Sequence, residues 1–133
     1  MNGEKISKTE NKTHNKKVAE IKQILLNLNL PILPLNTVRS TFYTTDIITR
    51  RYEKFIPIEF INSKGQLNFD IGGLTLIYNK DIIERSIAII SDKLWDKYSR
   101  DFKLAKLNLP PKLDMIRFNE TEDYFRNLIG GGK

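Results

Sequence analysis

Thr41-Phe-Tyr-Thr-Thr-Asp-Ile-Ile-Thr-Arg-Arg-Tyr-Glu-Lys-Phe-Ile-Pro-Ile-Glu-Phe-Ile61 is the stretch on which the fold turns. β-Branched and aromatic residues fill both halves, and such side chains suit a pleated, half-buried surface. A charged break, Thr49-Arg-Arg-Tyr-Glu-Lys54, separates the halves. The reading is a β-hairpin with strands over 41–48 and 55–61 and its turn at 49–54. Pro57 cannot donate to a ladder, so the second strand is expected at an edge or irregular position.

Upstream of the hairpin the period becomes helical. Val18, Ile21, Leu25 and Leu28 recur at steps of three and four, widened by Ile24. Pro31 and Pro34 stop this helix near residues 28–30 and leave 31–37 extended. Residues 1–17 hold five Lys, two Glu and, beyond Met1, only Ile6 as a strongly apolar side chain. Such a segment cannot offset the entropy of ordering, and residues 1–16 read as a flexible basic tail.

Downstream, Asn62-Ser-Lys-Gly-Gln66 is a turn signal. Leu67–Ile71 and Leu74–Tyr78 read as short strands, with Gly72-Gly73 a bulge or tight turn between them. Asn79 is placed to cap a long helix whose apolar face is Ile83, Ile87, Ile90, Leu94, Tyr98 and Phe102, flanked by Trp95. Pro110-Pro111 ends the helical region and Leu113–Phe118 forms a last strand. Asn119 and Glu122 match a capping box for a final short helix burying Tyr124, Phe125, Leu128 and Ile129. Strands and helices in this mixture predict one α+β domain, with no internal repeat.

Composition narrows the chemistry. The chain has 133 residues, a formal charge of +6, one His and no Cys. Without Cys there is no disulfide scaffold, zinc finger, iron–sulfur site or thiol nucleophile. A single His in a polar stretch gives no His-based metal set and no Ser-His-Asp triad. No apolar run is long enough to span a membrane. The carboxylates at Glu120, Glu122 and Asp123 are explained by a helix start, so no enzyme, cofactor or small-molecule substrate is expected. Ile, Lys, Asn, Phe and Tyr total 57 residues against 3 Ala, a bias typical of AT-rich coding sequence.

The positive charge has a pattern. All seven Arg follow residue 38, whereas the first 17 residues use only Lys. Arg39, Arg50, Arg51 and Lys54 fall on the hairpin, interleaved with Phe42, Tyr43 and Tyr52. Guanidinium groups suit bidentate phosphate contact, and exposed aromatic rings can stack on unpaired bases. Arg39, Arg50, Arg51 and Lys54 are therefore expected to contact RNA phosphate, with Tyr43 or Tyr52 stacking. Lys16 and Lys17, where the tail meets the first helix, join them.

Several short motifs occur in an order that resembles the small-subunit ribosomal protein ten family. Pro34-Leu-Asn-Thr37 matches its Pro-Leu-Pro-Thr segment except at Asn36, and Phe42 stands five residues later. Glu53 and Phe55 match an acidic residue and aromatic on the returning strand. Lys106-Leu-Asn-Leu-Pro110, followed by Leu113-Asp-Met-Ile116, is similar to the family's closing corner and strand. The matches span residues 17–71 and 103–118. Thr45-Asp-Ile-Ile48 departs from the family's Arg-Ser-Pro-His tip, and residues 1–16 lack its first strand.

The resemblance implies a ferredoxin-like α+β sheet with helices on one face and a long extended β-hairpin, its first strand missing. Residues 17–118 would be the domain, with an insertion at about 72–98, and 119–133 a C-terminal helical extension. The implied role is a structural component of the head of the small ribosomal subunit. Its partners would be rRNA and ribosomal proteins three, nine and fourteen. With the AT-rich bias, the implied setting is a mitochondrial ribosome, and the lack of a presequence-like start suggests synthesis inside the organelle; the alternative is cytoplasmic. The competing reading is a small basic nucleic-acid-binding regulator from a virus or plasmid. A third is an interaction subunit docking through an Ile-rich helix at 82–102.

Overall fold

The computed structural model describes residues 8–37, 45–78 and 81–130. Helix α1 (Lys8–Asn27) precedes a 3-10 turn at Leu35–Thr37 and the hairpin of β1 (Ile47–Arg51) and β2 (Lys54–Ile61). Then come α2 (Lys64–Tyr78), β3 (Ser86–Ile90), α3 (Asp92–Lys97), α4 (Ser99–Lys106), β4 (Leu113–Arg117) and α5 (Thr121–Gly130). The α+β class expected from the sequence is the one adopted.

The four strands form one mixed sheet in the order β1-β2-β3-β4. β1 runs antiparallel to β2, with Ile47 opposite Ile58, while β3 and β4 run parallel to β2. Alternation along the strands sends side chains to two faces. Ile56, Ile58, Phe60, Ile87, Ile89 and Ile116 meet α1 (Val18, Ile21, Leu25) and α5 (Phe125). Ile48, Ile61, Ala88, Ile90, Leu113 and Met115 meet α2 (Leu74), α3 (Leu94, Trp95) and α4 (Phe102) on the other side. The helices, expected on one face, thus cover both. Each fully buried Ile or Leu contributes roughly 1.5–3 kcal/mol of transfer free energy.

Local chemistry explains most element ends. α1 stops because Asn29 takes a left-handed φ of 64°. Leu30 N–H then donates to Leu25 O at 2.9 Å and Asn29 N–H to Leu26 O at 3.0 Å, the paired closure that satisfies the last carbonyls. Ser63 and Ser91 accept from Gln66 N–H and Leu94 N–H at 3.3 and 3.2 Å, capping α2 and α3. The hairpin closes through Tyr52-Glu53, with Tyr52 at a φ of 57°.

Several expectations are corrected. The second half of the supposed tail is helical, because α1 begins at Lys8. Residues 67–78 are helix α2 rather than two strands, since Leu67, Ile71 and Leu74 fall at steps of four and three and face one core. Gly72 and Gly73 lie inside that helix. The long helix expected from Asn79 is instead β3, α3 and α4, and Asn79 itself lies outside the described residues. Ile87-Ala-Ile-Ile90 is a continuous apolar run, mostly β-branched and buried on both faces, which is what parallel pairing selects.

Residues 72–98 therefore supply an inner strand and are no appendage. The Ile-rich 82–102 surface does not exist either, because Ile83, Ile87 and Ile90 are fully buried. Pro57 sits in an inner strand, where its missing N–H falls just ahead of the β2–β3 ladder at Ile58–Ile61. The cap before α5 joins Arg117 N–H to Glu120 Oε1 at 3.1 Å, not Asn119 to Glu122. The hairpin is five residue pairs long. Of the strand expected over 41–48, residues 47–48 are strand and 41–44 lie outside the described residues. Residues 49–51, expected in the turn, pair with 54–56 and complete β1.

Candidate functional site

Because β2, β3 and β4 are parallel, all three release the chain at the same end of the sheet. In open sheets with helical crossovers the loops at the carboxyl ends of the strands form the usual ligand crevice where the strand order reverses. Here the order β2-β3-β4 does not reverse, and the loops and α1 enclose the space instead. A cleft of about 630 Å³ lies there. Asn62, Ser63 and Lys64 border it after β2, Ser91 to Leu94 with Lys97 and Tyr98 after β3, and Phe118 after β4. Thr13 and Lys17 of α1 close one side, and Phe60 reaches it from β2.

Four lysines line this cleft: Lys17, Lys64, Lys93 and Lys97. Lys17 Nζ lies 4.4 Å from the centre of the Phe118 ring, and Lys64 Nζ 4.1 Å from that of Tyr98. Each also meets a carboxylate at 3.8 Å, Lys17 with Glu20 and Lys64 with Asp101. Lys97 lies 5.5 Å from the Tyr98 ring. Lys93 makes no ion pair among the described residues. Asp92 also borders the cleft, but it accepts from Arg117 Nε at 2.9 Å and Asn119 N–H at 3.1 Å. The amino end of α2 opens here as well, and its partial positive charge adds to the field of the lysines.

Beside the cleft a polar staple joins α1, β1 and β2. Asp46 Oδ2 accepts from Phe60 N–H at 2.8 Å and lies 3.3 Å from His14 Nε2. Asp46 N–H donates to Glu59 Oε1 at 2.9 Å. The His14 ring packs 5.6 Å from that of Phe60. The Asp46 hydrogen bond holds the His14 pKa above 6.5, although burial opposes it. Burial pushes the Asp46 carboxyl up, but hydrogen bonding with His14, Glu59 and Phe60 N–H leaves it below its ordinary 3.8. These groups are satisfied by one another. Among the described residues no cluster of three acidic, His or Cys side chains could hold a metal, and no helix is long and apolar enough to cross a membrane.

The hairpin residues expected to bind RNA stand at the opposite end of β2. Arg50, Tyr52 and Lys54 are exposed around the turn. Arg51 is occupied: Nη2 and Nε reach Glu84 at 2.5 and 3.1 Å, and Nη1 donates to Leu128 O at 2.6 Å. Its guanidinium therefore ties the hairpin to α5 and the β3 approach rather than facing phosphate. Arg39 and Tyr43 lie outside the described residues. Lys16 is exposed on α1, and among the described residues Lys17 is the one expected residue that borders the cleft.

The sequence reading missed Lys64, Lys93 and Lys97. A signal was present in the repeated order of Ile-rich strand, Ser, Lys: Ile58–Ile61 leads to Ser63-Lys64, and Ile87–Ile90 to Ser91-Asp92-Lys93. Each is a strand-to-helix junction with a serine cap. No protein-family model matches the chain, and no curated protein or solved structure matches it at a significant level.

Proposed function

We propose that this protein is a self-contained, non-catalytic nucleic-acid-binding protein that grips the sugar–phosphate backbone in the lysine-lined cleft. The carrying observation is the convergence of Lys17, Lys64, Lys93 and Lys97 at the carboxyl ends of three parallel strands. Among the described residues the one carboxylate bordering the cleft, Asp92, is already held by Arg117. A polyanion thus meets net positive charge with an α-helix amino end behind it. Among the described residues the four strands pair with one another and carry a core on each face, which supports a sheet that forms without a strand from a neighbour.

Titration of a labelled oligonucleotide at several salt concentrations tests the reading. Each phosphate contact to a single strand contributes about −0.7 to the slope of log K against log salt, so four lysines give roughly −3. Binding that ignores salt, or none at low salt, sinks the proposal.

A second, narrower reading places the same surface on small-subunit rRNA. It is favoured by the ordered matches around Pro34–Thr37, Glu53, Phe55 and Leu107–Pro110. Its test is co-sedimentation with small subunits in low-salt gradients. A protein that binds free strands yet stays off the subunit leaves the self-contained reading alone.

A further inference from the structure

Lysines explain attraction to phosphate, but they do not explain why aromatic rings share the cleft with them. Phe118 and Tyr98 border it and are half-buried. Each ring has a lysine ammonium over its face, Lys17 on Phe118 and Lys64 on Tyr98. Phe60 meets Phe118 edge-on, with ring centres 5.9 Å apart and planes at 76°, which fixes the orientation of the Phe118 ring. An ammonium over a π-face at an accessible site is held by only a weak attraction. It can swing to a phosphate and leave the ring for a flat apolar group.

We infer that the cleft seats an unpaired nucleotide of a nucleic-acid strand, its base against Phe118 or Tyr98 and its phosphates on the lysines above them. This deepens the nucleic-acid-binding reading and rests on it. The cleft volume of about 630 Å³ falls within the range of pockets that enclose small organic ligands. A duplex keeps its base faces stacked inside and offers the rings nothing, whereas a single strand presents every face to an aromatic platform. With a sequence-tolerant π-face as the recognition element, selectivity is for strandedness rather than for base identity.

The test compares three probes on the full chain at one salt concentration. They are an oligothymidine of about 12 nucleotides, the corresponding duplex, and an abasic strand of the same length. The expected order is single strand tightest, by about tenfold over either of the others. Phe118→Leu and Tyr98→Leu keep an apolar side chain but remove the stacking face. Together they are expected to collapse the strand-to-abasic ratio toward one while leaving the salt slope in place. Because the readout is a ratio, a general loss of folded protein does not mimic it, and each variant alone serves should the pair fail to fold. Equal, salt-dependent binding of all three probes overturns this inference and leaves backbone binding standing. Free thymidine monophosphate, added as a control beside the three, overturns it too if it binds as tightly as the strand. Failure of every probe to bind overturns the underlying reading instead.

Discussion

The two ends of the sheet are both rich in cations, yet they use them in opposite ways. At the hairpin end, Arg51 is locked to Glu84 and Leu128 O, and Arg85 pairs with Glu84, Asp114 and the Tyr124 hydroxyl. Tyr124 also donates to Asp114, and burial with that carboxylate pushes its pKa well above the ordinary value of 10.0. At the cleft end Arg117 is likewise held, by Asp92 and Asp96, and the cations that line the cleft are lysines, resting on aromatic rings or on carboxylates at 3.8 Å. The lesson concerns the residue type. A rigid guanidinium fork satisfies internal carboxylates and carbonyls as well as it satisfies phosphate, so arginine is readily absorbed by the fold. A strongly hydrated ammonium on a flexible stem is more easily left for a partner.

The largest effect should come from reversing charge at the cleft. Lys64→Glu, Lys93→Glu and Lys97→Glu combined are expected to weaken binding of a labelled oligonucleotide on the order of 100-fold at low salt. Arg50→Glu with Lys54→Glu should change it by no more than about threefold. If the hairpin pair proves the costlier, the contrast between the ends is wrong.

Next in size is Arg51→Ala, expected to lower unfolding free energy by about 1–3 kcal/mol in urea melts, because Glu84 and Leu128 O lose a shared partner. Affinity per folded molecule should not move. Arg51→Lys should not restore stability, since one ammonium cannot bridge both groups. Lys93→Ala should do the reverse, weakening binding severalfold and leaving the melt within about 0.5 kcal/mol.

The His14–Asp46 staple gives a smaller, pH-dependent effect. A raised His14 pKa stabilises the fold fully below 6.5, and that contribution fades as pH rises through the folded value. A lowered Asp46 pKa contributes above 3.8 and fades as pH falls through its folded value. The pair is thus strongest between those limits. His14→Asn should remove the extra stability that the wild-type protein gains between alkaline and mildly acidic pH, read from urea melts at the two pH values. Direct titration of the His14 ring by NMR should find a midpoint above 6.5 that drops in Asp46→Asn. Smallest of all, Arg126→Ala breaks an exposed pair with Glu122 one helical turn away and should cost under about 0.5 kcal/mol.

Much of this architecture was legible in residue pattern. The α+β class, the presence of a hairpin before residue 61, the last strand and the last helix follow from β-branched runs, turn residues and periodicity, although residues 49–51, expected in the turn, are strand. The error over 67–102 has two causes. Ile83, Ile87, Ile90 and Leu94 satisfy a helical period by coincidence, while a strand buried on both faces shows no alternation to betray it. Leu67, Ile71 and Leu74 carried the true helical period, but Gly72-Gly73 masked it. The site was less legible, because what assembles it is long-range. Lys17, Lys64, Lys93 and Phe118 come together only once β2, β3 and β4 are known to run parallel.

Amide shift mapping during titration with a single-stranded oligonucleotide tests the central claim most directly. The account predicts perturbations concentrated at Lys17, Ser63–Gln66, Ser91–Tyr98 and Phe118, around the cleft. Perturbations concentrated at Arg50–Lys54, with the cleft residues unmoved, would contradict it.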